Sequence, residues 1–169
     1  MRAESKDRGV WHVRTTLRKF HQDITTLSPE DQARAVPWEV IEREGNLLLN
    51  EGINQVWTLL CATGGVHFDS TVACIGVGDG STAAAATDTG LEGPNKTYVG
   101  MDGGYPTYGT SQKATWRATF GAAVGNHAWA EWTVANGGDD AAQNLNRKVE
   151  ALGTKAGGSW QFTVQITLS

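Results

Sequence analysis

The sequence predicts a mainly β protein: a β-sandwich or jelly-roll-like barrel with one packed helix and an N-terminal arm. Three observations carry that expectation. The last nine residues, QFTVQITLS, alternate: Phe162, Val164, Ile166 and Leu168 fall on one side, and Gln161, Thr163, Gln165 and Thr167 on the other. That pattern is a strand with one buried and one wet face. Glycine is frequent, and 20 of its 21 positions lie from Gly45 onward, so turns are dense where strand patterns recur. Helical spacing is convincing in one segment alone, residues 46–62.

Taken in order, residues 1–44 form a charged arm with edge strands. They hold 8 of the 14 Lys and Arg and 8 of the 18 Asp and Glu, in about a quarter of the length. Within them, Trp11, Val13, Thr15 and Leu17 alternate with His12, Arg14, Thr16 and Arg18, an amphipathic strand with one basic face. Ser28-Pro29-Glu30 marks a turn or the start of a short helix. Val36, Trp38 and Val40 then share one side of a second extended piece. Two readings of this arm stand side by side. It is an ordinary edge strand of the same domain, or it lies on a neighbouring subunit. Under the second reading the contact residues are Trp11, Val13, Arg14, Leu17, Arg18, Trp38 and Val40. Two apolar faces on a charged segment need a cover, and the two arginines would orient an acidic neighbour.

Residues 45–169 read as a Gly-rich β domain. Asn46 is placed to cap the helix. Leu49, Ile53, Val56, Trp57 and Leu60 make one apolar stripe that predicts core packing. Gly64-Gly65 is expected to stop the helix, and Gly52 weakens its middle by about 1 kcal/mol relative to Ala. Strand patterns follow in TVACIGVG, KTYVGM, QKATWRATFG, NHAWAEWTVAN, NLNRKVEAL and SWQFTVQITLS. The stretches DGSTAAAATDTG and DGGYPTYGTS between them read as loops. In NHAWAEWTVAN aromatic residues fall on both faces, as in a strand covered on both sides.

Composition narrows the function classes. A length of 169 residues predicts one domain with a substantial core. The net charge is −4 and no basic stripe occurs, so nucleic acid is not expected as a direct ligand. No apolar run reaches the roughly 18–20 residues of a membrane span. The opening MRAESKDRG lacks the apolar core of a signal peptide, which predicts synthesis in a cytoplasm. Cys61 and Cys74 lack CxxC spacing and read as small buried hydrophobes in a reducing compartment.

Candidate chemistry is sparse. Gly76-Val77-Gly78-Asp79-Gly80-Ser81 has the glycines of a phosphate loop but not its Lys-Ser/Thr, nor a dinucleotide fingerprint; it reads as a strand ending in a tight turn. His12, His21, His67 and His127 have no i, i+4 partner, and the pair His67 and Asp69 lacks a third ligand. Asp79, Asp88, Asp102, Asp139 and Asp140 sit in Gly-rich loops, where Asp builds turns more often than cation sites. No nucleophile or metalloprotease motif occurs. Among the seven tryptophans, Trp57, Trp116 and Trp132 have core-like spacing, whereas Trp129 and Trp160 are less constrained: packing or a subunit interface is expected for them ahead of sugar contact. The expectation is a protein with no catalytic residues and no cofactor or metal.

Four segments together carry a resemblance: GNLLLNEGI, IGVGDGSTAAAATDTGL, ATWRATFG and LNRKVEALGTKAGGSWQFTVQITLS. They resemble a family of small virion proteins encoded among the structural genes of tailed bacteriophages, over about residues 45–169. The resemblance implies a non-enzymatic structural protein that decorates and stabilises the capsid shell. Its implied partners are the major capsid protein and copies of itself as a homotrimer, with virion location after synthesis in the host cytoplasm. The alternative it implies is a tail or fibre component that binds a receptor or carbohydrate. It brings no catalytic residue with it.

Overall fold

The computed structural model describes residues 10–169. Two five-stranded antiparallel sheets face each other as a sandwich. They do not close into a barrel, so of the two expected architectures the sandwich is the one found.

The first sheet is ordered β2-β1-β10-β7-β6, with β1 Trp11–Phe20, β2 Glu39–Glu44, β6 Thr107–Thr110, β7 Lys113–Phe120 and β10 Ser159–Leu168. The second is ordered β3-β9-β8-β4-β5, with β3 Leu47–Leu48, β4 Cys74–Gly78, β5 Lys96–Gly100, β8 Ala128–Ala135 and β9 Asn146–Thr154. A short helix α1, Pro29–Arg34, follows β1, and the main helix α2, Asn50–Cys61, follows β3. β6 lies within a stretch that the sequence presents as loop; its four exposed residues, Thr-Tyr-Gly-Thr, show no alternation of polarity to betray it.

The C-terminal alternation is realised except at its ends, where Leu168 is exposed and Gln161 buried, against expectation. Trp160, Phe162, Val164 and Ile166 of β10 are buried and pack in the core, while Thr163, Gln165 and Thr167 are half-exposed. β10 is not at an edge, however. It pairs along its whole length with β1, Trp11 opposite Leu168 through to Phe20 opposite Ser159. Residues 10–44 are therefore not an arm set apart from the domain: β1 is the second strand of the first sheet. The physical reason is that β10 carries an apolar face on a ten-residue ladder, and β1 offers the matching alternation.

α1 begins as the Ser-Pro-Glu triplet suggests, with Ser28 Oγ accepting from the Asp31 N–H at 3.2 Å and Pro29 in the first turn. α2 departs from expectation at both ends and on its faces. Its N-cap is Leu49, with no side-chain bond, and the buried Asn46 amide nitrogen has no partner among the described residues. The helix stops at Cys61, before Gly64-Gly65. Gly52 and Gln55 face the protein, and of the apolar stripe only Leu49, which is buried, and Val56, which packs against the core, join them. A Cβ on Gly52 would lie 2.5 Å from the backbone of Leu145, so glycine here permits close approach of the helix to the segment before β9. Ile53, Trp57 and Leu60 are left outside.

β8 shows how Trp129 enters the core. Trp132 and Val134 point into the core, opposite Val77 and Ile75 of β4. Strict alternation would turn Trp129 outward. The ladder with β9 shifts register between Trp129 and Glu131, and that irregularity brings the Trp129 ring inward. There it meets Phe120 and Trp160 edge-on, with centroids 4.6 and 4.8 Å apart. Trp129 and Trp160 are thus core residues: of packing, subunit contact and sugar contact, packing is what is found. Cys61 is exposed rather than buried, Cys74 is half-buried, and both are free thiols. Among the described residues, no helix is long and apolar enough to cross a membrane.

Candidate functional site

The most chemistry-like cluster lies on the outer side of the second sheet. Glu131 of β8 and Arg147 of β9 are fully buried and joined by Arg147 Nε donating to Glu131 Oε2 at 2.7 Å. Arg147 also donates to Asp88 Oδ2 at 2.8 Å and to the Thr82 carbonyl at 3.1 Å. Glu131 in turn accepts backbone N–H bonds from Gly80, Glu92 and Gly93, at 3.1, 3.0 and 2.7 Å. Burial alone would lower the Arg147 pKa, but its bonds to Glu131 and Asp88 outweigh that and raise it. The glycines of Gly76-Val77-Gly78-Asp79-Gly80 now have a physical role. A Cβ at Gly78 would sit 2.6 Å from Glu131 Oε1, and one at Gly80 would collide with the same carboxylate. The loop does wrap an anion, but the anion is the protein's own Glu131. All the carboxylate and guanidinium groups here are spent holding loops 79–95 onto the sheet.

The loop aspartates are occupied in the same way. Asp79 accepts from the Asn95 N–H and side chain, Asp102 from Arg117, Asp139 from the Ala141 N–H, and Asp140 from Lys96 and Tyr98. Burial and the Asp140 carboxylate push the Tyr98 hydroxyl pKa well above its ordinary value. Asp69 accepts from both the N–H and the hydroxyl of Thr71 and shapes a turn. Near the first sheet's end, Asp23 takes bonds from Thr25, Ala122 and Ser159 at 2.6–3.0 Å. These bonds, led by the Thr25 hydroxyl, hold its carboxyl well below the usual range against the opposing effect of burial. Buried Lys155 donates to the Gly121 carbonyl and Asn126, and burial lowers its pKa. No group of three His, Cys, Asp or Glu among the described residues is arranged to hold a metal ion.

A cavity of about 470 Å³ opens where the strand ends meet α2, lined by Trp11, Val56, Phe68, Trp116 and Ile166 among others. Its walls are apolar apart from the neighbouring Ser111, Gln112 and Lys113.

Two apolar patches lie on the surface. The first follows the free side of β2, an edge strand. Val36, Trp38 and Val40 are 85%, 51% and 50% exposed. Trp38 stacks on His21 with centroids 5.3 Å apart, and Lys19 Nζ lies 5.6 Å from its ring. Lys19 itself is buried; it donates to the Leu152 carbonyl at 2.8 Å, pairs with Glu39 at 2.7 Å and covers Trp160 at 4.3 Å. Trp38 therefore rests on a fixed base. The second patch is the outward face of α2, where Trp57 and Leu60 are 60% and 70% exposed and Ile53 joins them.

Of the seven residues expected at a subunit contact, four are on the surface. Val40 and Arg18 are direct partners across the β1–β2 ladder, Trp38 precedes them, and Arg14 is exposed and ion-paired with Glu42 at 3.0 Å. For Val13 and Leu17 the expectation is corrected: both are buried in the protomer's own core, because the apolar face of β1 covers the sandwich interior. Trp11 is half-buried against that core and the cavity. The α2 patch was missed although its stripe is legible. The signal was Gly52, a small residue on the opposite face, which marks the side that approaches the protein. Neither a protein-family model, nor a curated protein, nor a solved structure matches this chain.

Proposed function

We propose that this chain is a non-enzymatic structural subunit of a tailed-bacteriophage particle, which decorates and stabilises the capsid shell through subunit contacts. The observation that carries the reading is the exposed row Val36, Trp38 and Val40 along the open edge of a firmly packed sandwich. Half-exposed tryptophan on a fixed base is what a protein contact uses: large apolar area at little cost in side-chain freedom. The likeness of residues 45–169 to phage virion proteins supplies the particle, the major capsid protein and further copies of the chain as partners.

The test is occupancy. Particles carrying the chain are imaged by electron cryomicroscopy, with the wild-type chain and with Trp38→Ser. Copies spread over the shell in the hundreds, reduced by W38S, support the reading; a few copies at a vertex or tail overturn it. The second outcome would favour a tail component with a receptor or carbohydrate ligand. The exposed indole of Trp57 is the feature that suits such a ligand.

A further inference from the structure

We propose that two copies of this chain join edge to edge through β2, antiparallel and centred on Ile41, making one continuous sheet across a two-fold axis. This deepens the preceding reading by naming one partner of the exposed edge as a second copy. The argument starts from which backbone groups of β2 are free. In the β1–β2 ladder Arg14 lies opposite Glu44 and Leu17 opposite Ile41, and Gly45 donates its N–H to the Val13 carbonyl at 2.8 Å. Antiparallel bonding alternates, so Glu39, Ile41 and Arg43 turn their backbone groups to β1, and Val40, Glu42 and Glu44 turn theirs outward. Three groups on that outward row, or next to it, already have a partner. The Glu44 carbonyl accepts from Lys148 Nζ at 2.7 Å, the Trp38 N–H goes to the Lys19 carbonyl at 2.9 Å, and the Glu42 carbonyl accepts from Arg43 Nη1 at 2.9 Å. Lys148 is largely buried and fixed, whereas Arg43 is half-exposed and its side chain turns to Glu39 of the other copy in the pairing below. The stretch left for pairing is therefore Val40 and Glu42, one residue on each side of Ile41.

A two-fold axis through Ile41 uses those groups and no others. Val40 of one copy faces Glu42 of the other, and each donates to and accepts from its counterpart. The next registers fail. Centring on Val40 needs the Trp38 N–H, which is spent. Centring on Glu42 needs the Glu44 carbonyl, also spent, and sets Glu42 against Glu42, a like-charge pair. The side chains agree with the Ile41 register. Glu39 of one copy falls opposite Arg43 of the other, twice by symmetry, on either side of an Ile41–Ile41 pair. On the other face the two Val40 side chains are diagonal neighbours, beside Trp38. An isologous contact of this kind closes on itself, so the edge ends in a pair rather than a fibre.

The test uses the purified full chain in analytical ultracentrifugation across a concentration series. The expected species is a dimer. Val40→Pro removes an outward N–H that β1 does not use, so it should give a monomer whose thermal unfolding remains cooperative. Arg43→Glu sets Glu against Glu across the pair and should weaken the dimer at least tenfold. Register is read by oxidation in a Cys61→Ser, Cys74→Ser background. Ile41→Cys should give a covalent dimer, because residues facing each other in a non-hydrogen-bonded pair are about 4.5 Å apart at Cα; Glu42→Cys should not. A monomer or a trimer at all concentrations, a dimer that survives V40P, or cross-linking of E42C in place of I41C overturns the proposal. Shell occupancy is measured separately. A monomer that still coats the shell refutes the pairing alone, and a dimer absent from the shell refutes the capsid reading alone.

Discussion

Replacing Arg147 by methionine removes the cation from an ion pair in which both side chains are fully buried. The guanidinium gives up bonds to Glu131, Asp88 and the Thr82 carbonyl. Glu131 remains buried without its counter-charge, although the Gly80, Glu92 and Gly93 N–H groups still point at it. Breaking one side of such a pair costs about 3–5 kcal/mol. For a domain of this size each kcal/mol lowers the melting temperature by about 2–4 °C, so a fall of about 6–20 °C is expected. Differential scanning calorimetry measures it, with urea unfolding as the second reading. The double replacement E131M/R147M should not recover the loss. It leaves three backbone N–H groups without an acceptor, at about 1–3 kcal/mol for each that finds no water. A melting temperature within about 2 °C of the parent for R147M, or full recovery in the double variant, would refute the view that this pair holds loops 79–95 on the sheet.

Two further outcomes follow from the same geometry. Asp23→Asn should lower stability by about 1–3 kcal/mol at neutral pH, because four bonds to a carboxylate are weakened. The folded carboxyl titrates below its unfolded value, so its contribution is full above the unfolded pKa of about 4 and is lost as pH falls through the folded value. The gap between parent and D23N should therefore be constant near neutrality and shrink in acid; a gap that widens below about pH 4 would contradict the assignment. The tryptophans give a contrast readable in urea: Trp129→Ala, at the centre of the aromatic cluster, should cost about 3–5 kcal/mol, and Trp57→Ala, on the outer face of α2, less than about 0.5 kcal/mol.

The period-two spacing of residues 161–168 and 113–120, and the helical spacing near 46–62, identify a mainly β fold with one main helix; that the sheets form an open sandwich rather than a barrel is decided by the tertiary structure. Both patterns are local, since a side chain's direction along a strand or helix depends on its own backbone. Other features depend on residues far apart in the chain. Val13 and Leu17 have the same alternation whether β1 covers its own core or a neighbour's, and the ten-residue ladder with β10 decides it. The stripe on α2 has the same spacing whichever way the helix turns, and the fit of Gly52 against Leu145 turns Ile53, Trp57 and Leu60 outward while Leu49 and Val56 stay against the core. Trp129 enters the core through a register shift that needs β9 to be seen. The Gly-rich turn after β4 reads from its sequence as a tight turn; only the tertiary structure shows that it also wraps an anion, Glu131, more than 50 residues on. Sequence spacing fixes which residues share a face, and long-range pairing fixes what that face meets.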